Sequence, residues 1–302
     1  MTLKTCFTCA CAWIALAFSS ACVAQEAAGT QAVPAAAQPG PALWQIADED
    51  TTIYLFGTVH VLPKDVDWFD GRIERAFNSA DEMVTEIGLD DMAGMQQVIA
   101  DKAMLQGDKS LRDLMTEENR AQYEAALGTF GVPPQALDRM EPWMAAMTLS
   151  VLPLQASGYR SESGVELSLN SRAAGKTKAS LETIEQQIDL FDTLPMDAQL
   201  TYLDETVEAI PETAFTLKQM IAEWLEGDAV TLAEMMNDEM DDPALYQRLL
   251  TDRNANWAEW VDQRMDSAGT VFLAVGAGHL AGTGSLQEML ERRGYKVKRI
   301  RE

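Results

Sequence analysis

Two short apolar, β-prone runs, Ile53 to Phe56 and Val271 to Val275, lie far apart in the chain, and each leads directly into a glycine-bearing phrase. Leu43 to Ile46, a turn at Glu49-Asp50 and Thr52 to Phe56 predict a β-hairpin. A helix is expected over Gly71 to Ala80, then a buried strand over Met83 to Ile87 that carries Glu86 near its end. Residues 90 to 160 show recurring Met- and Leu-bearing faces with breaks at Gly107, Gly131 and Pro133-Pro134, which predicts mostly helix. Residues Ile188 to about Met265 read as helical again. Leu217, Ile221, Trp224 and Leu225 share a face there, and Gly227 follows as a C-cap.

Between the helical stretches, Gly164 to Thr183 predicts a helix from Val165 to Ala174, a stop at Gly175 and a short strand ending near Leu181-Glu182. The C-terminal pattern is a strand at Val271 to Val275, a Gly-rich turn, a helix from Ser285 to Arg293 and a strand from Tyr295 to Ile300. Ser285 and Glu288 form the expected capping box, and Gly294 ends the helix. These elements predict an α/β fold: a central mixed sheet with flanking helices and a large, mostly helical middle region. The methionines and tryptophans fall at helical spacing and are expected in the core.

The N-terminus departs from this pattern. Lys4, the apolar stretch Ala10 to Phe18 and the small residues Cys22-Val23-Ala24 predict a signal peptide over residues 1–24, cleaved before Gln25. Ser20-Ala21-Cys22 also resembles a lipoprotein site, but Ser19 stands where such sites prefer Leu. Residues 25–42, rich in Ala, Pro, Gln and Gly, are expected to form a flexible tether, leaving 43–302 as the folded domain. Cys6, Cys9, Cys11 and Cys22 all lie in the expected signal, so the exported chain would carry no disulfide or zinc–thiolate site and no membrane-spanning segment. The expected location is periplasmic or secreted.

The net charge of −24 disfavours nucleic acid and anionic membrane as partners. Twelve Asp and Glu face only Lys218 in residues 204–242, a composition expected for a solvated helical face.

The candidate chemistry sits in the two glycine-bearing phrases. The chain has two histidines, and each closes the same pattern, Gly57-Thr58-Val59-His60 and Gly276-Ala277-Gly278-His279. Imidazole is the usual neutral metal ligand and proton carrier near neutral pH. Open α/β sheets place ligand sites at the carboxyl ends of strands, so the two phrases are read as halves of one site. Two imidazoles need carboxylates to complete a metal set, and Glu86, Glu166 and Glu182 are the candidates. For Glu182 the alternative is a place beside a helix N-terminus. A His/carboxylate set without thiolate suits Mn, Co, Fe or Zn. The sequence contains no H-E-x-x-H and no G-x-S-x-G. Gly276 to Gly282 is one residue longer than the dinucleotide fingerprint, and the strand after it carries no ribose-binding acid.

The motifs LWQI, YLFGTVHVLP, MVTEIGL, EPW, GVE, AGK, LETIEQQ, DRNANW, VFLAVGAGHLAG and GYKV follow one another through residues 43–302. In this order they resemble the TraB/GumN family, which includes the animal Tiki proteins and is similar to erythromycin-esterase-like and ChaN-like proteins. The resemblance implies an α/β core with a helical elaboration. It also implies a metal-dependent protease, with His60, His279 and Glu86 as the site residues. Glu166 stands where the family more often has Asp, and Arg253 and Asn254 match its RN pair, which could orient substrate or stabilise an oxyanion. The expectation is therefore an exported metal-dependent hydrolase of peptide or protein substrates. His60, His279, Glu86 and Glu166 would surround a divalent ion, with Glu86 as ligand or general base and Arg253 assisting catalysis. The alternative is a non-catalytic protein of the cell envelope that holds a metal, haem or peptide.

Overall fold

The computed structural model describes residues 40–69, 71–237 and 243–301. The expected signal peptide and most of the expected tether lie outside the described residues. Pro41 and Ala42, at the tether's end, are buried.

A six-stranded mixed sheet in the order β6-β4-β7-β2-β1-β8 organises the molecule. Its strands are β1 (Leu43–Ala47), β2 (Thr51–Thr58), β4 (Glu82–Thr85), β6 (Thr177–Ser180), β7 (Gly269–Gly276) and β8 (Lys298–Ile300); β3 (Leu62–Pro63) and β5 (Tyr159–Arg160) form a separate two-residue ladder. The β1–β2 hairpin forms as expected. Asp48 closes its turn by accepting the Thr51 N–H at 2.8 Å. Strands β2, β7, β4 and β6 are parallel neighbours, which brings their carboxyl ends together on one edge of the sheet.

The central strands are apolar on both faces because helices cover both. On β2, Ile53 and Leu55 pack with Trp257, Val261 and Leu286, whereas Phe56 packs with Phe77, Trp224 and Phe272. The first face is covered by α11 (Asp252–Met265) and α12 (Leu286–Arg292), and the second by α1 (Gly71–Ser79) and α8 (Met196–Glu226). The middle region builds its own core. Its helices α2 (Met92–Lys102), α3 (Leu111–Leu114), α4 (Glu117–Thr129), α5 (Pro142–Ala156) and α7 (Ile184–Asp192) gather Trp143, Met144, Met147 and Ile188 against Leu203 of α8, so these methionines and this tryptophan are core residues as expected. The remaining helices are α6 (Val165–Arg172), α9 (Ala229–Asn237) and α10 (Pro243–Tyr246), the last running through a π-turn at Gln247–Thr251 into α11.

Several boundaries differ from the sequence reading. Helix α7 begins at Ile184 and not at Ile188, because Thr183 and Gln186 cap its N-terminus reciprocally. Gly227, left-handed at φ 72°, ends α8 as expected. At α12, Ser285 accepts the Glu288 N–H, but Glu288 answers to the Gly284 N–H and not to that of Ser285. Among the described residues no helix is long and apolar enough to cross a membrane.

Candidate functional site

Residues from four adjacent parallel strand ends meet at the carboxyl edge of the sheet. Thr58 of β2 pairs with Gly276 of β7, so His60 and His279 leave neighbouring strands within four residues of that pair. Glu86 follows β4, and Glu182 follows β6. The Glu182 N–H donates to the Glu86 carbonyl at 2.8 Å, which carries the β4–β6 ladder into the site. Helix α11 then lays Arg253, Asn254 and Trp257 over the opening from one face.

His60 and Glu166 form one half of the site. The His60 Nδ1 lies 2.6 Å from Glu166 Oε1, and both side chains are less than a tenth exposed. Helix α6 delivers Glu166 in its first turn and is anchored by the Val165 N–H donating to the Val59 carbonyl at 3.0 Å. Burial by itself would push His60 down, but the adjacent Glu166 carboxylate outweighs it and holds His60 above the ordinary imidazole value. Glu86 adds to the rise and Arg253 opposes it, so the two halves of the site feel each other's charge.

The other half is built around Arg253. Its Nη2 donates to Glu86 Oε2 at 2.6 Å and to Glu182 Oε2 at 2.8 Å, and its Nε to Glu182 Oε1 at 2.8 Å. Glu86 Oε1 accepts the Gly276 N–H at 2.7 Å. A side chain at 276 would place its Cβ 3.1 Å from that same oxygen, so glycine lets the carboxylate reach the backbone. Gln187 donates to Glu86 Oε2 at 2.8 Å and Glu182 Oε2 at 3.0 Å, and the Trp257 indole N–H donates to Glu182 Oε1 at 3.0 Å. His279 lies between Asn254 Oδ1, 2.7 Å from Nδ1, and Arg253 Nη1, 3.1 Å from Nε2, with the Trp257 ring 4.4 Å away. A guanidinium can only donate, so Nε2 accepts and Nδ1 carries the proton. Burial and the Arg253 charge push His279 down to about 3, which keeps it neutral.

The family model described as TraB/PrgY/gumN matches residues 42–299, and with them every residue of this site. The chain belongs to the TraB/PrgY/gumN family. It is 28% identical over 243 residues to the uncharacterized protein YbaP of Escherichia coli (strain K12), covering 78% of this chain and 87% of YbaP. It is 23% identical over 267 residues to an uncharacterized protein of Treponema pallidum (strain Nichols), covering 83% of this chain and 80% of that protein. No solved structure matches.

Within this TraB/PrgY/gumN chain, the structure therefore brings His279, Glu86 and Arg253 into one cluster and pairs His60 with Glu166 beside it. Glu182 joins the cluster as the partner of Arg253, although it also precedes the capped start of α7. Gln187 and Trp257 are site residues that pattern reading assigned no role. Gln187 does carry a signal, since it is a polar residue on the apolar stripe of Ile184, Ile188 and Phe191, a place that calls for a buried hydrogen-bond partner.

Glu86 also makes the site acid-sensitive. Burial acts to raise its carboxyl, but Arg253, with help from the Gly276 N–H, holds it at about 2, below its ordinary 4.5. A depressed carboxyl contributes stability that is present above the unfolded value and lost as pH falls through the folded one. The stability gap between the wild type and Glu86→Gln is therefore expected to narrow between about pH 5 and pH 2. Urea unfolding of both proteins across that range checks it, and a gap that stays constant contradicts this account.

Proposed function

We propose that the chain is an exported hydrolase of peptide bonds in which His60 accepts the proton of the attacking water. The observation that carries this reading is the buried His60–Glu166 pair at 2.6 Å, set beside the fixed positive charge of Arg253. In this reading the Glu166 carboxylate holds the Nδ1 side of the ring and Nε2 serves as the base, the arrangement that orients a catalytic imidazole in hydrolases of several folds. Water adds to the substrate carbonyl as His60 takes its proton, and the same imidazolium returns that proton to the leaving amine. Arg253 is offset by Glu86 and Glu182 and donates to both, so its part in this reading is to fix the site and not to bind the carbonyl oxygen. A carboxyl held at about 2 is a weak base near neutral pH, so Glu86 is given the task of fixing Arg253. The choice of a peptide substrate follows the family resemblance.

A second reading places a divalent ion, Mn, Co, Fe or Zn, on His60, His279 and Glu86, with Glu166 behind His60. It is favoured by the two imidazoles standing at the ends of adjacent parallel strands. The arrangement does not fit that ion as it stands. Arg253 Nη1 covers the Nε2 lone pair of His279, and among the described residues no three His, Cys, Asp or Glu side chains are grouped to hold a metal.

Cleavage of a peptide library by the chain starting at Gln25, with and without chelator, separates these readings. Chelator-resistant cleavage is expected. Cleavage that chelation abolishes and Mn or Zn restores supports the metal reading, and absence of cleavage in both arms favours a binding protein. The export proposal is tested by intact mass and thiol titration of the protein recovered from cells. A first residue of Gln25 and no thiol are expected, whereas a lipid-modified Cys22 contradicts soluble export.

A further inference from the structure

Every N–H of Arg253 is committed inside the protein. Beyond the three bonds to Glu86 and Glu182, Nη1 donates to the Leu249 carbonyl at 3.2 Å and to His279 Nε2 at 3.1 Å. A guanidinium has five N–H groups, and five acceptor contacts use them all. The side chain is 11% exposed, and its carbon Cζ stacks 4.7 Å from the Trp257 ring centroid. No donor is left for a substrate oxygen, so Arg253 serves the site as a fixed charge.

The groups it touches are those that bind cations. Two carboxylates, Glu86 and Glu182, and one imidazole lone pair surround it, ligand types that take Mn or Zn, although with Arg253 between them the three side chains are not grouped to hold an ion. His279 is in the tautomer such a ligand uses, with Nδ1–H on a side-chain oxygen, and Asn254 is fixed in turn by its Nδ2 donating to the Gly284 carbonyl at 2.9 Å. The occupant is nevertheless an arginine, gripped by Glu182 at two points in the planar fork that guanidinium and carboxylate share.

We infer that Arg253 is the resident cation of this site, filling the position a divalent ion would take among Glu86, Glu182 and His279, and that Glu182 is the positioning residue that keeps it there. The inference rests on the chelator-resistant hydrolase reading. Arg253 brings one positive charge against two carboxylates and blocks their approach to a common ion. Removing it leaves Glu86 and Glu182 uncompensated around an emptied volume, which creates affinity for a divalent ion.

The test uses the wild type, Arg253→Ala, Arg253→Lys and Arg253→Ala/Glu182→Gln. Each is stripped with chelator, titrated with Mn²⁺ or Zn²⁺ alone, and followed by elemental analysis and thermal midpoint. The wild type and Arg253→Lys, each with a cation in place, are expected to retain no stoichiometric ion and show no shift. Arg253→Ala is expected to bind one ion per chain, with a midpoint rise of about 5 °C once the ion is near 100 times its Kd. The double variant loses a ligand charge and shows a smaller rise. If Arg253→Ala does not fold, the double variant, with one stranded charge fewer, carries the test. A stoichiometric, chelatable ion in the wild type overturns the inference, and so does a folded variant lacking Arg253 that shows no uptake and no shift. Hydrolysis is assayed on the same wild-type sample. Cleavage there without uptake by the variants overturns this inference alone, and uptake by the variants without wild-type cleavage overturns the hydrolase reading alone.

Discussion

Replacing His60 with alanine is expected to lower peptide hydrolysis by about 100- to 10,000-fold, the range general acid–base catalysis supplies, while leaving helix content unchanged. The size of the effect follows from the role, since Nε2 of His60 is the proton acceptor in this reading. The fold should tolerate the change because His60 lies beyond the last residue of β2, and the strand beneath it is held by Ile53, Leu55 and Phe56. Glu166→Gln makes the comparison sharper. The amide can still accept the Nδ1–H but no longer stabilises the imidazolium, so kcat falls while KM changes little. Steady-state kinetics and circular dichroism on the same preparations measure both effects. Wild-type kcat in a folded His60→Ala protein rules out His60 as the base.

His279→Ala should behave differently. It strands an Arg253 N–H and an Asn254 oxygen in a buried place, so stability falls together with rate. A variant that loses rate at constant stability and one that loses both therefore tell apart the two histidines of one repeated phrase.

That repetition is why the site was legible in sequence. An apolar strand, a glycine and a histidine recur at two distant places, and parallel pairing of β2 with β7 makes the recurrence spatial. Glu86 is legible for a related reason, as a charge at the end of an apolar strand that needs a partner, and Glu166 as a charge near the end of its element. The partners themselves are not. Whether His60 meets Glu166 or Glu86 depends on where α6 docks, and whether Arg253 faces substrate or spends its donors on Glu182 depends on side-chain directions that spacing does not encode. The β3–β5 ladder is not legible because two residues carry no period, and the start of α7 is obscured because its stripe begins with Ile184 beside polar Glu185 and Gln186.

Gly164 gives the second large effect. Its backbone, at φ −59° and ψ 150°, suits any residue, so glycine is not required there for conformation. The requirement is contact. A Cβ at this position would lie 2.1 Å from the His60 carbonyl oxygen, 2.8 Å from its carbon and 2.9 Å from the Ser161 oxygen. All three atoms are backbone, and no rotamer change relieves them. Gly164→Ala must therefore push α6 away from the residues that follow β2, stretching the Val165–Val59 hydrogen bond and the 2.6 Å His60–Glu166 contact together. Overpacking of this kind costs about 1–3 kcal/mol of stability, and a displacement near 1 Å at the base is worth about 100-fold in rate. Gly128→Ala is the control, since that glycine lies inside α4 with nothing within 4 Å of the added carbon, and alanine there should leave rate unchanged and stability equal or higher. Urea midpoints and kcat for the two variants decide the matter. Wild-type values for Gly164→Ala would mean that α6 does not position Glu166 against His60, and the hydrolase reading would lose the contact that carries it.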